Sequence, residues 1–251
     1  MSSIFNLDAP IWVFMSEVAD MIILALLWWI CCLGIITMGA STTALYYVLG
    51  KKIRKEQTYV AKDFFKSFTQ NFKQSVPLSV VVSIAFVSLA MYISFIIGSV
   101  LSGEEGSYLK FIVPITIIFA FEVFNFHTYI WALLSRFDMP TKGLIKTAFI
   151  MTHRHLIVTV WNLVVIGIVV YGIIKFPILI VVAPALIVFG QSYMIQPVFT
   201  GYIEAANAPD ETEVIEVEED DDLEEIDSDE SVMVLNMSEE IVSTKSIDLE
   251  K

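Results

Sequence analysis

Charged residues are scarce over most of this chain, and their absence determines the solvent in which it folds. Asp, Glu, Lys and Arg make up 17% of the 251 residues. Five long segments carry no charge or a single one: 21–50, 76–103, 111–135, 156–174 and 176–203. A helix needs about 20 mostly apolar residues to cross a bilayer, and in lipid the backbone must satisfy its own hydrogen bonds. The sequence therefore predicts an all-α integral membrane protein.

Cysteine and catalytic motifs are also rare or absent. Cys31 and Cys32 are the only cysteines; they are adjacent and poorly placed for a disulfide, so we interpret them as small core residues. The sequence has no glycine-rich phosphate loop, no His-Glu-x-x-His helix and no Gly-x-Ser-x-Gly elbow. His153 and His155 point to different sides of a helix, so they indicate an interfacial position rather than a metal site. We expect no enzymatic activity, no cofactor and no nucleic-acid partner.

The charges that are present divide the chain into two parts. Residues 1–203 contain 13 Lys and Arg against 9 Asp and Glu, whereas residues 204–251 contain 2 against 19. We therefore assign 1–203 to a polytopic membrane domain and 204–251 to a disordered acidic cytoplasmic tail. The tail either solvates the protein or contacts a partner or the basic loops.

The distribution of lysine and arginine predicts the topology. The segments 51–75 and 136–155 together carry eleven of these residues, against two on the opposite side. The positive-inside rule then places the N-terminus outside and the tail inside, with residues 1–20 as an interfacial helix. We expect a bundle of about five transmembrane helices, at 21–47, 77–101, 111–135, 156–174 and 177–197. Pro184 is expected to kink the last one.

The first predicted span carries small residues on one face: Gly39, Ala40, Thr43 and Ala44. Small faces let membrane helices approach closely. This region is accordingly either a helix-packing face or a flexible or substrate-lining kink at 34–39.

An aromatic stripe follows in the first basic loop. Phe64, Phe68 and Phe72 recur at helical spacing, with Lys66 and Lys73 on other faces. This pattern is typical of a helix that lies in the inner headgroup layer. Such a helix is either a membrane anchor or a docking element for another protein.

Glu122 is the single acidic residue within a predicted span. A charge at mid-bilayer costs about 2.5–3.5 kcal/mol, so the side chain should face the bundle, where Asn125 and Tyr129 share its side of the helix. This intramembrane polar site indicates either a proton or solute path or a protonated carboxyl bonded to a neighbouring helix. Asn162 and Gln191 are further candidates for interhelical hydrogen bonds.

Three segments together resemble the YesL-like predicted integral membrane proteins, a family of unknown molecular function. The segments are Thr37-Met-Gly-Ala-Ser-Thr-Thr-Ala-Leu-Tyr-Tyr47, Phe64-Phe-Lys-Ser-Phe-Thr-Gln-Asn-Phe-Lys-Gln74 and Tyr129-Ile-Trp-Ala-Leu-Leu-Ser-Arg-Phe137. The resemblance covers about residues 5–203 and implies a multi-pass protein of a Gram-positive plasma membrane. The acidic tail departs from the family pattern.

The resemblance also implies a role beside carbohydrate ABC importers, by analogy alone. We therefore expect a non-enzymatic accessory or assembly protein whose partners are the lipid bilayer and importer subunits, or another membrane or cytoplasmic protein. The alternative is a small-solute or proton-coupled transporter that uses Glu122. The sequence has no coupling-loop signature of an ABC permease, so it does not indicate the permease itself.

Overall fold

The computed structural model describes residues 10–102 and 109–207, which form seven α helices and no strand. The helices are α1 (Pro10–Cys31), α2 (Ile35–Ile53), α3 (Val60–Leu101), α4 (Leu109–Arg136), α5 (Thr141–Arg154), α6 (Leu156–Lys175) and α7 (Ala183–Asn207). A short 3₁₀ helix, Pro177–Val181, connects α6 to α7. The all-α expectation is confirmed for these residues, and most of the acidic tail lies outside them.

Three of the described helices are long and apolar enough to cross a membrane: α3, α4 and α6. Helix α3 has 42 residues, so at 1.5 Å per residue it is about 63 Å long, roughly twice the hydrocarbon thickness of a bilayer. Its charged residues all lie before Ser75, and the remainder is uncharged. One continuous helix thus contains both the predicted interfacial segment and the span predicted for 77–101.

The first predicted span, 21–47, is divided between two helices. Helix α1 ends at Cys31, and α2 begins after Gly34, whose backbone is extended (φ −108°, ψ 136°). Trp28 Nε1 donates a hydrogen bond of 3.1 Å to Thr42 Oγ1, and Lys52 contacts both Glu17 and Asp20. These contacts make α1 and α2 an antiparallel pair.

This pairing changes the expected position of the N-terminal segment. Residues 10–20 belong to α1 and do not form a separate interfacial helix. Because Glu17 and Asp20 are bound to Lys52, the part of α1 around residues 17–20 lies beside the start of the first basic loop and not on the opposite side. The ion pairs explain the arrangement, since they compensate the two acidic charges near the middle of a helix that has no other charged residue.

Helices α2 and α3 pack closely through the small face of α2. Ala40, Thr43 and Ala44 are fully buried. A Cβ atom added to Gly39 would lie 2.2 Å from Ser79 Oγ on α3 and 2.4 Å from the Trp131 ring on α4. The contact between these three helices therefore requires glycine at position 39.

Pro184 differs from its expected role as a kink in the last span. It occupies the second residue of α7, which begins at Ala183. The first turn of a helix tolerates proline because its N–H groups have no partner within the helix. The proline therefore lies at the beginning of α7, after the 3₁₀ helix, rather than in its interior.

Candidate functional site

The predicted intramembrane site around Glu122 is rearranged in the structure. Glu122 Oε1 lies 3.2 Å from Nε2 of His153 on α5. Asn125 donates to the carbonyl of Phe121, and the Tyr129 hydroxyl lies 3.3 Å from Thr159 Oγ1 on α6. The three predicted residues share one helix, but each contacts a different neighbour.

His153 is a partner of Glu122 that the sequence did not reveal. We expected it at the interface, and its ring joins α5 to α4 through Glu122 and lies 4.7 Å from the ring of Phe149. Its side chain is 52% exposed and that of Glu122 is 28% exposed. The pair is therefore accessible from the surface of the bundle, and it brings a carboxyl and an imidazole together at one place.

A second polar group lies inside the bundle. The Tyr46 hydroxyl on α2 donates to Gln191 Oε1 on α7, and Gln191 Nε2 donates to Thr128 Oγ1 on α4 at 3.2 Å. All three side chains are buried. The interhelical hydrogen bonding expected of Gln191 thus joins three helices, although its partners could not be identified from sequence spacing.

The basic end of the bundle is held by ion pairs. Lys52 Nζ is 2.7 Å from Glu17 Oε2 and also contacts Asp20, and Lys51 Nζ is 3.0 Å from Asp63 Oδ2. The hydrogen bond to Asp63 raises the pKa of Lys51 above its ordinary value. These contacts connect the basic end of α2 to α1 and to the start of α3.

Arg54 extends the ion pairs to α7. Its guanidinium donates to Gln196 on α7 and to Glu56, where Nε lies 2.6 Å from Oε1. The hydrogen bond from Arg54 lowers the pKa of Glu56 below its ordinary value of 4.5. The connection between α2 and α3 is thereby fixed to the last helix.

The predicted docking helix is the first part of α3. Phe64 is fully buried, and Phe68 packs against the same core. The ring of Phe68 stacks on Phe64 at 6.5 Å between centroids and lies 5.7 Å from that of Phe72. The structure therefore directs Phe64 and Phe68 into the protein, while the side chains of Lys66 and Lys73 are exposed.

Most side chains in the remainder of α3 are exposed. Between residues 80 and 101 the buried residues are Val82, Leu89 and Ser99. A Cβ added to Gly98 would meet no atom within 4 Å. A groove of about 420 Å³ opens on this part of the surface, lined by Ser88, Met91, Tyr92, Phe95 and Ile112.

The residues that the structure describes do not form a metal centre. No group of three or more His, Cys, Asp or Glu side chains is close enough to hold a metal ion among residues 10–102 and 109–207. The polar contacts that these residues form are the pair of Glu122 and His153 and the hydrogen bonds inside the bundle.

The comparisons with known proteins add one match. Residues 21–95 match a family model described as a protein of unknown function, DUF624. This stretch contains all of α2, most of α3 and the second half of α1. No curated protein matches the chain, and no solved structure does. The match is to an uncharacterised family, and the likeness to YesL-like proteins stays a prediction.

Proposed function

We propose that this chain is a non-enzymatic integral membrane protein that serves as an accessory or assembly subunit of a membrane transport system. The observation that carries the proposal is the bare outer half of α3 and the adjacent part of α4. We define the outer face as the apolar surface of residues 80–101 and 111–118. Subunits of a carbohydrate ABC importer are the first partners to test, and this choice rests on the family resemblance alone.

The outer face supports the proposal because it is exposed around most of the helix. Ile84, Val87 and Met91 are more than 60% exposed, as are Ile115 and Ile117 on α4. Lipid chains can cover such a surface. Ser94 and Gly98, however, form an exposed small-residue pair at a spacing of four, which is the pattern that lets a second helix approach closely. A partner helix is the occupant that uses this pattern.

For the orientation, we propose that the basic connections lie in the cytoplasm of a bacterial cell. The start of α1 then lies in the cytoplasm too, because Glu17 and Asp20 bind Lys52. This proposal replaces the expected external N-terminus. It also makes α1 and α2 the two arms of a hairpin. From the sequence alone, 21–47 is predicted as a single span, the first of five.

The test is affinity purification from native membranes in mild detergent, followed by mass spectrometry. We expect stoichiometric recovery of another membrane protein with the wild type and its loss with Gly98→Leu. Gly167→Leu on α6 is the matched control, since a Cβ at Gly167 also meets no atom within 4 Å. Recovery of the chain alone, or equal recovery with both variants, would remove the proposal.

A second candidate function is proton-coupled transport of a small solute, favoured by the pair of Glu122 and His153. A carboxyl in contact with an imidazole can pass a proton between two helices. In proteoliposomes, Glu122→Gln should abolish a pH-driven flux if this function holds. An accessory protein should keep its partner in the same variant, so the two candidates give opposite results.

A further inference from the structure

Several buried polar atoms in the bundle have no hydrogen-bond partner in the protein. Asn162 on α6 is fully buried, and neither its Nδ2 nor its Oδ1 is bonded. Asn125 Oδ1 on α4 and Thr43 Oγ1 on α2 are also buried without a partner. In a core surrounded by lipid, such groups are strongly unfavourable unless something bonds to them.

These three residues occupy related positions. Thr43 lies one turn from Tyr46, Asn125 one turn from Thr128 and Tyr129, and Asn162 one turn from Thr159. Residues separated by one turn share a helix face. Tyr46 and Thr128 are joined through Gln191, and Tyr129 contacts Thr159. The unbonded groups therefore border the hydrogen-bonded network on three helices.

The three groups also lie toward the same end of the bundle. Contacts at two points along neighbouring helices show how the helices run. Helix α3 is antiparallel to α2 and to α4, and α6 is antiparallel to α7. Helix α7 runs parallel to α2, since Gln191 contacts Tyr46 and Gln196 contacts Arg54. In each of the three helices, the unbonded residue therefore lies farther from the basic end of the bundle than its hydrogen-bonded neighbour.

We propose that Thr43, Asn125 and Asn162 form a buried binding site for an uncharged molecule that carries hydroxyl groups. The amide of Asn162 supplies donors and an acceptor, Asn125 Oδ1 an acceptor, and the Thr43 hydroxyl both. None of the three side chains is charged, so the site lacks the counter-charge that an ion would need in this core. Water and a small polyol such as glycerol share the required chemistry. The site is separate from the outer face and goes beyond the accessory function.

The first test is the sign of a stability change. Asn162→Leu removes both unbonded atoms while it keeps a side chain of similar length. If the site is empty, leucine should leave the melting temperature unchanged or raise it, because an unsatisfied group is removed. If a hydroxyl-bearing molecule bonds Asn162, the variant should melt about 4 °C lower or more.

Glycerol distinguishes the two sources. In glycerol-free buffer, a lower melting temperature of Asn162→Leu indicates water as the occupant. A polyol site instead predicts that added glycerol raises the melting temperature of the wild type by more than that of Asn162→Leu. Equal or higher stability of the variant, with no difference in its response to glycerol, would overturn the proposal.

A measurement on the wild type keeps the test independent of folding of the variant. In nanodiscs, with asparagine labelled in its side-chain amide, magnetisation transfer from water or glycerol protons to Asn162 is expected in nuclear magnetic resonance spectra. Asn71, which donates to the Ser67 carbonyl at 3.0 Å in α3, provides a reference amide that is bonded within the protein. Transfer to Asn162 from neither molecule would also overturn the proposal.

Discussion

The two halves of α3 have the same secondary structure and opposite surroundings. From Val60 to Ser79 the helix packs against α2 and α4, buries Phe64 and Leu78 completely, and forms an ion pair through Asp63. From Val80 to Leu101 it buries three residues and exposes most of its aliphatic and aromatic side chains. The first half is part of the protein core, and the second offers a surface to lipid or to another chain.

The comparison shows that hydrophobic character does not identify the core of this protein. The more apolar half of α3 is the less buried one, as expected where lipid is the solvent. Burial follows small residues, ion pairs and aromatic stacking, which are concentrated in the first half. Substitutions that exchange these features between the halves should therefore have unequal effects on stability.

The largest difference is expected between two phenylalanines of α3. Phe64→Ala should reduce the free energy of unfolding by about 3–5 kcal/mol, because it empties a fully buried site. Phe95→Ala should have a small effect, since that side chain is 52% exposed. Chemical unfolding in detergent micelles measures both. Equal losses would show that the outer half of α3 is as tightly packed as the first.

The next difference concerns two glycines. Gly39→Ala should reduce the free energy of unfolding by about 1–3 kcal/mol, since the new methyl group would overlap Ser79 and the Trp131 ring. Gly98→Ala should stabilise the chain by up to about 1 kcal/mol through helix propensity alone. Thermal unfolding followed by circular dichroism compares the two. A neutral Gly39→Ala would contradict the close packing of α2 on α3 and α4.

A smaller effect is expected from the ion pairs at the basic end. Lys52→Gln should cost about 1 kcal/mol, at the upper end of the range for partly exposed pairs, because Lys52 serves both Glu17 and Asp20. Raising the salt concentration should reduce the loss. Lys66→Gln on the exposed side of α3 is the control. Equal and salt-independent losses for both lysines would refute the pairing of α1 with α2.

The smallest effect is a dependence on acid pH. The folded pKa of Glu56 lies below its ordinary value of 4.5, because Arg54 is hydrogen-bonded to it. The contact between Arg54 and ionised Glu56 therefore stabilises the fold above pH 4.5, and this stabilisation is lost as the pH falls from there through the folded pKa of Glu56. The stability difference between the wild type and Glu56→Gln should shrink over that interval. A difference that stays constant down to pH 3 would contradict the Arg54 contact.

The sequence revealed the helices better than their contacts. The predicted segments 111–135 and 156–174 coincide with most of α4 and of α6, because long apolar runs with one charge or none leave few alternatives to a helix. The turn between α1 and α2 was considered only as a kink at 34–39 within one span, because the apolar run continues across it and Gly34 is its only local signal. Likewise, helical spacing showed the stripe of Phe64 and Phe68 but not the side to which it faces.

The interior contacts could not be predicted for a related reason. Glu122 is far along the chain from His153, and Tyr46 is far from Gln191, so only the packing of helices brings each pair together. Spacing within a helix predicted that Asn125 and Tyr129 share the side of α4 that carries Glu122. It could not show that they contact Phe121 and Thr159 instead of Glu122.

The most direct test of the accessory function is photocrosslinking in native membranes with benzoylphenylalanine at two exposed isoleucines. Ile97 lies on the outer face and is 53% exposed, whereas Ile168 lies on α6 and is 63% exposed. The proposed function predicts a crosslink to another membrane protein from position 97 and crosslinks to lipid alone from position 168. Crosslinks to lipid alone from both positions would contradict it.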